Sequence, residues 1–138
     1  MHFQLSYLED EGAIILGKTN LSEWANYFCL GPNGYSAMGG QTLNPYGRKI
    51  LDTGGSSSGS GVATASNLSS VSLGSETSGS ILSPSSSNSL VGMKPTIGHV
   101  SRSGIVPISS TLDTAGPMTK FVIDNIICLL YTSPSPRD

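Results

Sequence analysis

One serine- and glycine-rich stretch limits what this 138-residue chain can fold into more than any other feature. Of the chain's 25 serines, 16 lie in positions 54–89. Such a composition is typical of a flexible linker. Apolar residues interrupt it in an ordered way, however: Val62 and Ala65 have helical spacing, while Val71 and Leu73 alternate like a short strand. We therefore predict that this stretch is folded.

Helical and strand-like patterns alternate along the rest of the chain. Because the helices and strands alternate, the fold class predicted is α/β, in layers. A helix over 5–11 is predicted to stop at Gly12, since glycine readily ends a helix. The other predicted elements are a buried strand at 13–16, a short helix within 21–26, a helix near 59–68, a strand near 70–74, a sharp turn at 77–80, short strands or extended pieces at 91–93, Val100 and 105–108, a turn at Gly116 and Pro117, and a helix from 120. Pro84 is expected to limit any helix after the 77–80 turn.

The composition argues against several classes of function. A net charge of −2 gives no reason to expect binding to nucleic acid or to an anionic membrane. No apolar run has the length of a membrane span, and two histidines and two cysteines in no metal-ligand spacing predict neither a metal nor a cofactor. Cys29 and Cys128 make no disulfide framework, so a reducing, cytoplasmic compartment is the default expectation.

The last residues, 128–138, read CLLYTSPSPRD. In one back-translated frame this run resembles a transposase mosaic end followed by a sequencing-library adaptor. We therefore expect a non-native tail there. The preceding residues 1–127 are expected to be a partial domain, truncated at both ends.

A phosphate-loop pattern, G-x-x-x-x-G-K-T, spans the segment from Gly12 to Thr19. A true loop of this kind follows a strand and cradles phosphate with backbone N–H groups. Here the four middle residues are themselves strand-like, nothing extended and apolar precedes Gly12, and no later strand ends in an aspartate. The context therefore argues against a nucleotide-binding module.

Ser56 and Ser80 each lie in a glycine-rich turn that could present a hydroxyl and successive backbone N–H groups. Both turns could equally be ordinary loops with no catalytic role. A serine nucleophile needs a base. The residue types leave two choices open: Lys18, whose burial at a strand end would favour the neutral amine, and His99 with Asp113 or Asp124.

Three segments in the right order resemble the amidase-signature family. The stretch from GGSSSGSGVATAS at position 54 to STLDTAGPM at 118 resembles the signature itself. GAIILGKTNLSEWAN at 12–26 resembles the segment that carries the family's lysine, and GGQTLNPYG at 39–47 its connecting loop. The resemblance covers roughly residues 5–127.

The resemblance implies a mixed β-sheet covered by helices and hydrolysis of a carbon–nitrogen bond in a small-molecule amide substrate. Ser80 would become acylated, Ser56 after a cis peptide bond would relay protons, and Lys18 would be the base. An oxyanion hole is implied at the backbone N–H groups of Thr77, Ser78, Gly79 and Ser80.

This sequence departs from the family pattern at several positions. Ser58 and Ser78 stand where many members have glycine, Glu76 where aspartate is common, and Leu82 where many have arginine. The SILSP run resembles stand-alone amidases more than the A subunit of glutamyl-tRNA(Gln) amidotransferase, which is the alternative. The 138 residues alone are expected to be poorly stable and inactive, and the sequence leaves the oligomeric state open.

Overall fold

A computed structural model describes residues 3–27 and 31–132. Its elements, in chain order, are α1 (Phe3–Asp10), a 3-10 helix (Glu23–Asn26), β1 (Tyr35–Ser36), β2 (Gly40–Gln41), α2 (Ser58–Ala65), β3 (Val71–Glu76), α3 (Leu82–Ser87), β4 (Val91–Gly92), β5 (Thr114–Thr119) and α4 (Val122–Thr132). The α/β class predicted from the sequence is confirmed, and the 59–68 helix is real but begins at Ser58 and ends at Ala65.

A three-stranded sheet in the order β3–β5–β4 is the centre of the fold. Both pairings within this sheet are antiparallel, and every residue of β5 is buried. Strands β1 and β2 form a separate antiparallel pair. The predicted turn at Gly116 and Pro117 is wrong, since both lie in mid-strand, paired with Gly74 and Leu73. The glycine is needed for close approach, because a Cβ on Gly116 would clash with the Met93 carbonyl oxygen.

The apolar run at 13–16 is not a strand. Gly12 ends α1 as predicted, with φ +91° and its N–H donating to the Glu9 carbonyl at 2.9 Å. After it the chain is extended without strand pairing, and Ile14 is 83% exposed. The prediction of a buried strand is wrong, since the run forms no strand and all four of its residues are exposed.

Glycines in α2 allow the neighbouring segments to approach its backbone closely. A Cβ on Gly59 would clash with the Asn20 carbonyl oxygen, which instead accepts the Gly59 N–H at 2.8 Å. A Cβ on Gly61 would lie 3.1 Å from the Pro84 carbonyl oxygen. The small residues of α2 therefore hold the segment after Lys18 and helix α3 against the same short helix.

Other predicted elements need correction. Pro84 does not prevent α3, because it lies in the helix's first turn, where a backbone N–H has no helical partner. Val100 and 105–108 are not strands. Trp24 and Ala25 have left-handed dihedrals inside the 3-10 helix, so the helix predicted within 21–26 is irregular.

Helix α4 begins at Val122 and runs to Thr132, past the predicted native boundary at residue 127. Cys128 is buried on this helix, and burial raises the pKa of its thiol to about 11. Cys29 lies outside the described residues. That 128–138 is a non-native tail stays a prediction.

Candidate active site

The two glycine-rich turns lie side by side. The Ser57 N–H donates to the Ser80 carbonyl at 3.1 Å, and the Ser57 hydroxyl donates to the Ser75 carbonyl at 3.2 Å. The Gly55–Ser56 peptide bond is cis, as the family resemblance implies. Ser56 is buried, Ser80 is half-buried, and both line the same small cavity. The fold thus brings together two serines that are 24 positions apart in sequence.

Lys18 lies in a larger groove that Ser56 also lines. The segment after the lysine is tied to the serine turn, because the Ser22 N–H donates to the Ser56 carbonyl at 3.0 Å. Next to the lysine, the Thr19 hydroxyl is 2.9 Å from the Ser60 hydroxyl. The lysine itself is exposed, so its predicted burial at a strand end is wrong for the described residues.

The 77–80 turn joins β3 to α3. Gly79 has φ +80°, whereas Ser78 has no positive φ, so its Cβ fits without left-handed strain. Across residues 3–27 and 31–132, none of the four backbone N–H groups of this turn donates a hydrogen bond to a protein atom. Successive N–H groups of this kind can bind an anionic oxygen.

Two groups that the sequence did not single out as functional hold the ends of this turn. The buried Glu76 carboxylate accepts the N–H groups of Ile81 at 2.7 Å and Leu82 at 2.9 Å. Lys94 Nζ donates to the Thr77 carbonyl at 2.6 Å and lies 3.9 Å from the second Glu76 oxygen. The sequence offered one signal for this role: Glu76 is an acidic residue four positions before the candidate nucleophile Ser80. In the sequence, however, Glu76 was noted only as a departure from the family pattern.

Asp113 is a buried acceptor beneath the same turn. Its carboxylate accepts the Thr77 hydroxyl at 2.5 Å and the N–H groups of Ile108 and Ser109, each at 2.8 Å. Burial alone would raise the pKa of Asp113, but these hydrogen bonds and the charge of Arg102 outweigh it and lower the pKa below 3.8. The carboxylate thus joins the 77–80 turn to the 108–109 loop as an anion.

Replacing Asp113 by asparagine is expected to destabilise the protein by roughly 1–3 kcal/mol at neutral pH, because the Thr77 hydroxyl and two N–H groups lose a charged acceptor that is itself buried. The pKa is lower in the folded state, so this stabilisation is complete above 3.8 and is lost as the pH falls through the folded pKa. Urea unfolding at pH 7 and below pH 4 measures the difference, with Asp10→Asn at the exposed end of α1 as control. A difference independent of pH would contradict the assignment.

The alternatives left open by the sequence do not fit this geometry. Among the described residues, helix α1 rather than a strand precedes Gly12, and no helix begins at Lys18, so Gly12 to Thr19 does not have the context of a phosphate loop. The alternative base, His99, does not line the cavity with Ser80, and neither does Asp124, one of its two possible partners. Asp113 does line it, but three protein donors occupy its carboxylate.

Apolar side chains form the other wall of the small cavity. They come from Ala25 and from the loop that carries Ile105, Val106 and Ile108. Within residues 3–27 and 31–132, no group of three His, Cys, Asp or Glu side chains lies together in a way that could hold a metal ion. None of the helices found there is long and apolar enough to cross a membrane. The small cavity is therefore lined by Ser56, by Thr77 and Ser80 of the 77–80 turn, and by apolar side chains.

Known proteins resemble this chain along nearly its whole length. A family model described as Amidase matches residues 4–137. A probable amidase of Arabidopsis thaliana is 51% identical over 122 residues, which are 86% of this chain and 23% of that protein. The A subunit of the glutamyl-tRNA(Gln) amidotransferase of Syntrophobacter fumaroxidans is 46% identical over 125 residues, 91% of this chain and 25% of that protein.

The X-ray structure of the native peptide amidase of Stenotrophomonas maltophilia is 51% identical and superimposes with a TM-score of 0.90. The match covers 97% of this chain and 28% of that one. The chain therefore spans about a quarter of the length of the relatives it matches.

Proposed function

This chain belongs to the amidase family, and we propose that the full-length protein that contains it hydrolyses a carbon–nitrogen amide bond through an acyl-enzyme on Ser80. One observation carries the proposal: Ser56 and Ser80 line one small cavity at the turn whose four N–H groups donate to no described protein atom. A nucleophile, a second hydroxyl and oxyanion donors are the parts that amide cleavage needs.

In the proposed reaction, neutral Lys18 takes a proton from Ser56, and Ser56 takes one from Ser80 as the Ser80 oxygen attacks the amide carbonyl. The carbonyl oxygen becomes an anion, which the N–H groups of the 77–80 turn bind. When the carbon–nitrogen bond breaks, the proton held by Lys18 returns through Ser56 to the leaving amine. Water then attacks the acyl-enzyme by the same route, which releases the acid and restores Ser80.

This mechanism requires that Lys18 lie near Ser56 and that its amine be neutral, and the described residues meet only the first requirement. Lys18 lies in the groove that Ser56 lines, within a segment bonded to the serine turn. A lysine base must act as a neutral amine, which burial favours, whereas Lys18 is exposed in the described part of the chain. We propose that parts of the protein outside this chain cover the groove, whose walls include the exposed Ile14 and Leu16.

The proposal is tested by measuring ammonia release from simple amides and a peptide amide by the purified full-length protein. We expect turnover by that protein alone. The isolated 138-residue chain is expected to be inactive, because large apolar side chains such as Trp24 and Ile14 are exposed in it. Turnover by the isolated chain would contradict this second expectation, and no turnover of any amide by the full-length protein would contradict the first.

The second candidate is the A subunit of a glutamyl-tRNA(Gln) amidotransferase, which the 46% identity to the Syntrophobacter fumaroxidans protein supports. In that case amide hydrolysis would need partner subunits. Unassisted hydrolysis of a peptide amide argues for the stand-alone enzyme, whereas activity that depends on added partner subunits argues for the alternative.

A further inference from the structure

The 77–80 turn is held at both ends by one pair of charged side chains. After the turn, both N–H groups at the start of α3, on Ile81 and Leu82, donate to one Glu76 oxygen. At its beginning, the carbonyl of Thr77 accepts from Lys94. The glutamate is 3% exposed and its other oxygen faces that same lysine.

These contacts hold the backbone on both sides of the four N–H groups of the turn. Hydrogen bonds to a charged acceptor are roughly twice as strong as neutral ones, and this acceptor is buried. By binding the Ile81 and Leu82 N–H groups, Glu76 fixes the backbone directly after Ser80. Lys94 fixes the Thr77 peptide plane from the opposite side, because its carbonyl points to the lysine and not into the cavity.

We propose that Glu76 and Lys94 are positioning residues that keep the N–H groups of the 77–80 turn directed at the carbonyl oxygen under attack. Neither side chain is required to touch the substrate. This inference rests on the proposed function, because it assigns the pair a role in acylation of Ser80. It predicts that loss of either charge lowers the rate of bond breaking more than it lowers substrate binding.

The test uses the full-length protein with Glu76→Gln and Lys94→Met, both close in size to the original side chains. We expect kcat to fall by about 10- to 100-fold in each, with KM changed by less than about threefold, because transition-state contacts are weakened. Each kcat is divided by the fraction of sites that a fluorophosphonate finally labels. That correction removes molecules that are unfolded or damaged, so a purely structural defect leaves the corrected kcat unchanged.

Lys120→Met is the matched control, since Lys120 also donates to a side-chain oxygen, that of Asn67, but does not line the cavity. Lys94→Arg keeps a charged donor and is expected to recover part of the lost rate. Glu76→Asp serves as the second variant if Glu76→Gln does not fold, and it is expected to show the same loss of corrected kcat to a smaller extent.

Corrected kcat values within about twofold of wild type in Lys94→Met and in the folded Glu76 variant would overturn the inference. A wild-type protein in which fluorophosphonate labels no serine in this turn would instead overturn the proposed function. The two failures are therefore distinct.

Discussion

Replacing Ser80 by alanine in the full-length protein is expected to lower kcat for amide hydrolysis by at least about 10⁴-fold, the scale seen when a serine nucleophile is removed. The reason is that Ser80 carries the accessible free hydroxyl of the 77–80 turn in the cavity: the Thr77 hydroxyl donates to Asp113, and Ser78 does not line the cavity. Steady-state kinetics on a peptide amide, with protein concentration checked by absorbance, measures the change.

Ser86→Ala is the matched control for that variant, because Ser86 is exposed on α3 and does not line the cavity. It is expected to leave kcat and KM unchanged. If Ser80→Ala retained more than a few per cent of wild-type kcat, Ser80 would not be the nucleophile.

Replacing Lys18 by alanine is expected to lower kcat by about 10²–10⁴-fold, which is the usual contribution of a general base. The variant should fold normally, because Lys18 is exposed and makes no hydrogen bond to other residues in 3–27 and 31–132. Since the missing group is a primary amine, adding methylamine should restore part of the rate in a concentration-dependent way. Arginine at position 18 should not restore it, because a guanidinium stays protonated.

Lys120→Ala is the control for Lys18→Ala, and methylamine should not change its rate. Retention of most of the wild-type kcat by Lys18→Ala would remove the lysine from the mechanism. The base would then have to be sought outside the described residues, since His99 does not line the cavity with Ser80.

Local patterns predicted much of the α/β framework correctly. Glycine ended α1 at Gly12, and the alternation at Val71 and Leu73 marked β3. The errors arose where packing against distant segments determines the local structure. Gly116 and Pro117 resemble a turn in sequence, but the glycine permits the Met93 carbonyl to lie against a central strand. The run at 13–16 has the composition of a buried strand, yet burial depends on a partner that the sequence of the run does not reveal.

The candidate site was likewise predicted in part, and the errors again concern tertiary packing. The resemblance identified Ser56, Ser80 and Lys18. In the fold, Ser56 lines the small cavity with Ser80 and the larger groove with Lys18. The sequence could not decide between a buried and a solvated Lys18, because solvent access depends on every segment that packs around a side chain. Glu76 and Lys94 were missed as a pair, since they are 18 positions apart and only the β3–β5–β4 sheet brings them together.

The most direct measurement for the whole account is the site at which a fluorophosphonate attaches to the wild-type full-length protein. The reagent phosphonylates an activated serine, and peptide mass spectrometry identifies the modified residue. We expect one adduct per molecule, at Ser80, formed more slowly in Lys18→Ala and absent in Ser80→Ala. An adduct at another serine, or none in a protein that hydrolyses amides, would contradict the proposed acyl-enzyme.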